Sequence, residues 1–126
     1  MRVETAKKEE IKEVLRHRNG TDNWYRYFLT GNLYTDGVKD MAELCKAEWL
    51  VTDSLIICKK LSVKNDFIVV RFKYLPEPTE GVEALITYED GNDNILYSQD
   101  IEITDFPLDE IYMFYENDVL CLPSER

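Results

Sequence analysis

The sequence is poor in the residues from which most catalytic and metal sites are built. It holds one histidine, His17, and three cysteines, Cys45, Cys58 and Cys121, with no Cys-x-x-Cys spacing. A structural zinc site takes cysteine and histidine ligands in close pairs, which this chain lacks. An odd cysteine count also fits poorly with a secreted, disulfide-stapled domain. Each cysteine sits among apolar neighbours, where a thiol acts as a small buried hydrophobe rather than a nucleophile. Reduced thiols in a cytoplasmic protein are the expectation, and His17 reads as a solvated residue at a helix end.

The glycine patterns that hold phosphate or raise a nucleophile are missing too. No G-x-x-x-x-G-K-[ST], G-x-G-x-x-G or G-x-S-x-G occurs, which removes the phosphate-cradling loop and the nucleophile elbow. Long hydrophobic runs are also absent. The most apolar window, Trp49 to Ile57, is interrupted by Thr52, Asp53 and Ser54 and is far shorter than the ~20 residues of a membrane span. Lysines and glutamates fill the first ten residues, where an export leader needs an apolar stretch. No cofactor, no metal and no membrane contact are expected.

What the chain does have is charge, and it is unevenly placed. Its 126 residues are 44% hydrophobic and 32% charged, a composition that suits a single domain over 1–126 with one core. Residues 1–74 carry 14 Lys or Arg against 11 Asp or Glu, whereas residues 75–126 carry only Arg126 against 14 acids. The net charge of -10 therefore belongs to the C-terminal part. Such a surface repels nucleic acid phosphates and attracts cations, an effect screened by salt. Direct nucleic acid binding is disfavoured, and a basic protein partner is expected, for instance a DNA- or RNA-binding protein whose ligand the acidic surface imitates.

The hydrophobic spacing predicts a peripheral helix within residues 1–20, from Glu4 to His17, with Ile11, Val14 and Leu15 on one face and Asn19-Gly20 as its stop. Trp24 to Leu29 reads as a short aromatic strand. Thr35 or Asp36 can cap a following helix carrying Val38, Met41, Ala42, Cys45 and Trp49. Another helix is predicted over Leu50–Leu61. After Asn65-Asp66 the period changes to alternation, giving strands at Phe67–Leu75, Val82–Glu89, Ile95–Ile103, Ile111–Tyr115 and Val119–Leu122. Pro76 to Gly81 reads as a turn, since proline cannot donate to a ladder. Asp90-Gly91 marks a hairpin. Although Glu89 to Asn94 alternates acids and amides around a glycine, it lacks the spacing and the closing glutamate of a calcium loop. The predicted class is α+β, with N-terminal helices packed on one face of a C-terminal antiparallel β-meander of about four to five strands.

Aromatic residues with an arginine are what binding sites concentrate, which makes Trp24, Arg26, Tyr34, Asp36 and Trp49 candidates, with Asp105 as a second aspartate. If Asp36 and Asp105 converged beside Arg26 they would form a polar site. The pairs Thr35-Asp36 and Thr104-Asp105 can instead fix sharp turns by binding backbone N–H groups just ahead. Tryptophan and tyrosine beside a helix cap serve as core residues with a satisfied polar tip more often than as ligand contacts.

The succession Trp24-Tyr25-Arg26, Tyr34-Thr35-Asp36-Gly37-Val38, Trp49-Leu50, Glu89-Asp90-Gly91-Asn92, Thr104-Asp105-Phe106-Pro107-Leu108 and Leu122-Pro123-Ser124-Glu125 is similar to a family of small bacterial proteins. That family is classed as a domain of unknown function and is common on phages, plasmids and other mobile elements. The resemblance covers the chain from Gly20 onward and departs at Asp40-Met41. It carries no activity over to any residue. The missing catalytic signatures and the one-sided charge point to a non-enzymatic accessory or interaction protein. The competing expectation is a small enzyme with a polar site near Arg26, Tyr34, Asp36 and Asp105.

Overall fold

The computed structural model describes residues 5–16, 20–102 and 104–126. Helix α1 spans Thr5–Arg16, and its apolar stripe is narrow: Ile11 and Leu15, one turn apart, are buried while Val14 stays exposed. Lys8 Nζ lies 3.0 Å from Asp109, and the Ser124 hydroxyl donates to the Leu15 carbonyl. These contacts hold α1 against the chain's C-terminal turn and the segment at Asp109. The predicted Asn19-Gly20 stop and His17 involve residues outside the described ones.

Strands β1 (Trp24–Arg26) and β2 (Leu33–Thr35) form a small hairpin. The aromatic strand expected to reach Leu29 ends at Arg26, because the Gly31 amide donates to the Tyr27 carbonyl at 2.8 Å and closes a turn. Gly31 permits this with a φ of 76°, a conformation that costs glycine little. Helix α2 covers Asp36–Leu44, and the Thr35 hydroxyl caps it by accepting the Val38 amide. Helix α3 follows at Glu48–Leu61, with Lys59 and Lys60 in its last turn, where cations favour the negative helix end.

The remaining strands are β3 (Phe67–Thr79), β4 (Val82–Glu89), β5 (Ile95–Ile101), β6 (Glu110–Glu116) and β7 (Val119–Cys121), closed by a 3-10 turn at Pro123–Glu125. They join β1 and β2 in one seven-stranded sheet of order β1-β2-β7-β6-β3-β4-β5. The α+β class is as predicted, but the expected antiparallel meander of about four to five strands is too small. Two three-residue strands extend it, and β2 pairs with β7 in parallel. Segments that short give alternation nothing to display, and pairing between residues this distant in sequence leaves no local trace. Nor do the helices all precede the sheet, since α2 and α3 form the connection between β2 and β3. Strand β3 also continues through the prolines to Thr79, where a turn was expected. Its register with β4 breaks between Tyr74 and Thr79, which spares the prolines a donor role.

Alternation along β3 buries Ile68, Val70, Phe72 and Tyr74, matched by Ala84, Ile86 and Tyr88 of β4. That side meets α3: the Trp49 and Phe72 rings lie 6.3 Å apart, edge to face. The sheet's other side carries a mixed layer in which Arg71 stacks on Tyr112 and Arg126 on Phe67 and Phe114. Val69, paired with Phe114 of β6, is buried on that side.

Candidate functional site

Asp36, the first residue of α2, takes its place from the strand before it. Its Oδ2 accepts the backbone amides of Asp22 and Asn23 at 3.0 and 3.1 Å, and Oδ1 accepts the Tyr25 hydroxyl at 2.9 Å. The Tyr25 hydroxyl chiefly, with the two amides, lowers the carboxyl pKa from 3.8 to about 2, because these bonds favour the ionised form. The same contact raises the pKa of Tyr25. Tyr25 stacks on Tyr34 at 5.5 Å between ring centres, and Lys39 of α2 reaches over the Tyr25 ring.

The Asp36 pKa fixes a sign for acid stability. A carboxyl with a lowered folded-state pKa stabilises above its unfolded value and stops doing so as pH falls through the folded one. The stability advantage of the native protein over Asp36→Asn should therefore be full at neutral pH and shrink as pH falls from 3.8 through about 2. Denaturant titrations across that range check this; a gap that stays constant would show that the carboxylate charge is not what holds the loop.

A groove of about 350 Å³ opens beside this cluster, between the β1–β2 hairpin and helices α2 and α3. Arg26, Tyr27, Phe28 and Tyr34 form one wall, and Lys39 and Glu48 face them. Phe28 is 84% exposed at its rim. The Arg26 guanidinium donates to the Gly31 carbonyl, so its head partly serves the hairpin turn.

The structure brings Arg26 and Tyr34 into this groove and sets Asp36 at its margin through Tyr25. Trp24 is exposed on β1, pairs with Thr35, and lines a separate depression with Glu116, Cys121 and Arg126. Trp49 is half-buried against Phe72. Asp105 is exposed on the connection that follows β5, the strand at the sheet edge opposite β1, and it does not line the groove. In the two Thr-Asp pairs the forward bonds come from the threonines: Thr35 Oγ1 accepts the Val38 amide and Thr104 Oγ1 the Phe106 amide. The aspartate of the first pair binds backward, to Asp22 and Asn23, which the local turn reading does not foresee.

Two positions passed over in the sequence organise this region. Glu125 accepts the Gly37 amide at 2.9 Å, the Thr35 hydroxyl at 2.6 Å and the Leu122 amide at 3.0 Å. Its carboxylate is thereby a cap for α2 delivered from the far end of the chain. Gly37 leaves the space for it, since a Cβ there would collide with the Glu125 carboxylate. The only sequence signal is Glu125 three residues after Leu122, the reach-back half of a capping box. Asn32 is buried and joins the hairpin to α3 and β6, and nothing local marks it.

The other candidates resolve into structure. Asp90 Oδ1 accepts the Asn92 and Asn94 amides and Oδ2 the Asn94 side chain, so Glu89 to Asn94 is a hairpin turn between β4 and β5. All three cysteines are buried, and burial raises their pKa values, that of Cys45 to about 12 and that of Cys121 to about 11. Such thiols are protonated at neutral pH and unreactive. Among the described residues no group of three or more His, Cys, Asp or Glu could hold a metal ion, and no helix is long and apolar enough to cross a membrane.

Comparison with known proteins finds no match among curated proteins and none among solved structures. A family model described as a family of unknown function, DUF6876, matches residues 9–126, and the chain belongs to that family.

Proposed function

We propose that the protein is a non-enzymatic interaction module that binds a basic protein partner through the acidic β4–β5 side of its sheet. The observation that carries this reading is where charge is neutralised and where it is not. Cations from residues 1–74 and Arg126 reach several of the acids: Asp118, in the turn after β6, meets Lys59, Glu116 of β6 meets Arg126, and Glu89, at the end of β4, meets Arg71. No lysine or arginine occurs between Lys73 and Arg126. Accordingly Asp93, Asp100, Glu102 and Asp105, on and around β5, make no ion pair among the described residues. Unpaired like charges along one edge project a field that draws in a cationic surface and raises its rate of encounter.

Affinity capture from the native cell tests this. Raising salt from about 0.1 to about 1 M shortens the screening length from about 10 to about 3 Å, so a basic protein retained at low salt should be released. A variant carrying Asp100→Asn, Glu102→Gln and Asp105→Asn should retain it at least about tenfold less. Equal retention by that variant, or retention indifferent to salt, would refute the acidic side as the binding surface.

A second reading, a small enzyme using Arg26, Tyr34, Asp36 or Asp105, has the groove beside Arg26 and Tyr34 in its favour. Against it stand the Asp36 carboxylate, committed to Tyr25 and the 22–23 backbone, and Asp105, which belongs to another part of the fold. Perturbation of Tyr34 NMR signals by a mixture of cell metabolites would favour it.

A further inference from the structure

We propose that β5 is a docking strand, to whose free edge an extended cationic segment of a partner protein adds as an eighth strand; this rests on the basic-partner reading and names how that partner is held. Strand β5 closes the sheet order, and among the described residues its backbone ladder is with β4 alone. An edge strand presents a row of unpaired N–H and C=O groups, and proteins normally block it with lysine, proline, extreme shortness or a covering element. The opposite edge, β1, is blocked in this way, with three residues and Arg26 among them. Strand β5 has seven residues, Ile-Leu-Tyr-Ser-Gln-Asp-Ile, and contains no lysine, arginine or proline. Its one register irregularity, at Tyr88/Glu89, lies at its beginning and leaves Tyr97 to Ile101 regularly paired.

The exposed side chains along this edge say what would fit. Ile95 is 63% and Tyr97 49% exposed, an apolar footing uncommon on an unpaired strand. Tyr97, Gln99 and Ile101 pair with Tyr88, Ile86 and Ala84 and so share the core side of the sheet, while Ser98 and Asp100 share the outer side. Asp93 and Glu102 flank the strand. An added strand would therefore place apolar residues beside Tyr97 and Ile101, and lysine or arginine, one position out of phase, beside Asp100. Strand addition works in this manner, the backbone ladder giving affinity and alternate side chains specificity. A second copy of this chain is the poorer occupant, since pairing β5 with itself would bring Asp93, Asp100 and Glu102 of both copies together without a cation, and like charges across strands destabilise.

The probe is a blocked peptide of about eight residues alternating lysine and valine, long enough to span β5, compared with the same peptide N-methylated on alternate residues. Both carry the same charge, but the methylated form cannot extend the ladder on one edge. Affinity is measured by titration at low salt, and amide exchange of residues 95–101 by NMR. The inference expects the parent peptide to bind at least about tenfold more tightly than the methylated one and to slow exchange of those β5 amides that point away from β4. Equal affinity of the two peptides with unchanged β5 exchange would overturn the docking strand while leaving the acidic surface in place. Failure of both peptides to bind would remove the basic-partner reading as well. Dimerisation of the protein alone, with β5 amides protected in proportion to its concentration, would assign the edge to a second copy and overturn the inference.

Discussion

Phe72→Ala is expected to lower the free energy of unfolding by about 3–5 kcal/mol, the range for removing a buried ring that its surroundings cannot refill. Phe72 is 1% exposed on β3, the strand lying between β6 and β4. Its ring meets Phe106 at 4.5 Å, Tyr74 at 5.2 Å and Trp49 at 6.3 Å. Three separate pieces of chain, α3, the sheet and the segment after β5, therefore share one aromatic centre. Because each aromatic pair contributes about 0.5–1.5 kcal/mol beyond simple burial, the loss should sit in the upper half of the range. Against a total stability of about 5–15 kcal/mol for domains of ordinary size, that is a large share. Urea titration followed by tryptophan fluorescence measures it. Phe72→Leu, which keeps most of the volume, should cost less than half as much; an alanine variant within about 1 kcal/mol of the native protein would mean that the three pieces are held together elsewhere.

Asn32→Leu is expected to cost about 1–3 kcal/mol although it replaces a buried polar residue by an apolar one of similar size. The Asn32 amide donates to the Leu55 carbonyl at 2.8 Å and to the Tyr115 hydroxyl at 3.1 Å. Tyr115 in turn donates to Asp118 at 2.8 Å, and Asp118 is held by Lys59 at 3.0 Å. A chain of polar contacts thus runs from the β1–β2 turn through the core to the end of α3. Leucine removes the donor and takes a partner from two acceptors beside the buried Asn32 and Tyr115 side chains, which is why burial of extra carbon does not compensate. Tyr115→Phe combined with Asn32→Leu should lose less than the two changes do separately, because the second removes a group the first has already orphaned. Additive losses in that double-mutant cycle would contradict the connected network.

The pattern of the chain made some elements plain and hid others for identifiable reasons. Alternation over Val82–Glu89 gave β4 its limits, because one face of that strand is buried and the other is not. A cap for α2 at Thr35 or Asp36, of which the structure uses Thr35, and Asp90 as the hairpin residue were equally legible, since each bond is closed within four residues. Strand β2 was not, because its three residues acquire strand geometry from β1 on one side and β7, far along the chain, on the other. The six candidate residues were chosen for their chemistry, and the fold separates them. Arg26 and Tyr34 share the groove, whereas Trp24, Trp49 and Asp105 go to three other environments. Glu125, whose carboxylate ties the start of α2 to the C-terminal turn, looks in sequence like any other acid near the C-terminus.

Sequence alone determined the α+β class, a cap at Thr35 or Asp36, the Asp90-Gly91 hairpin, and the concentration of acid after residue 74, because each is written in periodicity, in local hydrogen bonding or in simple charge. Tertiary structure alone decided which of those acids are neutralised, which strand is left at the open edge, and which aspartate is tied to backbone. Those outcomes depend on contacts between residues tens of positions apart, such as Glu125 on Gly37 and Lys59 on Asp118, and distance along the chain says nothing about such neighbours until the sheet has set the strand order.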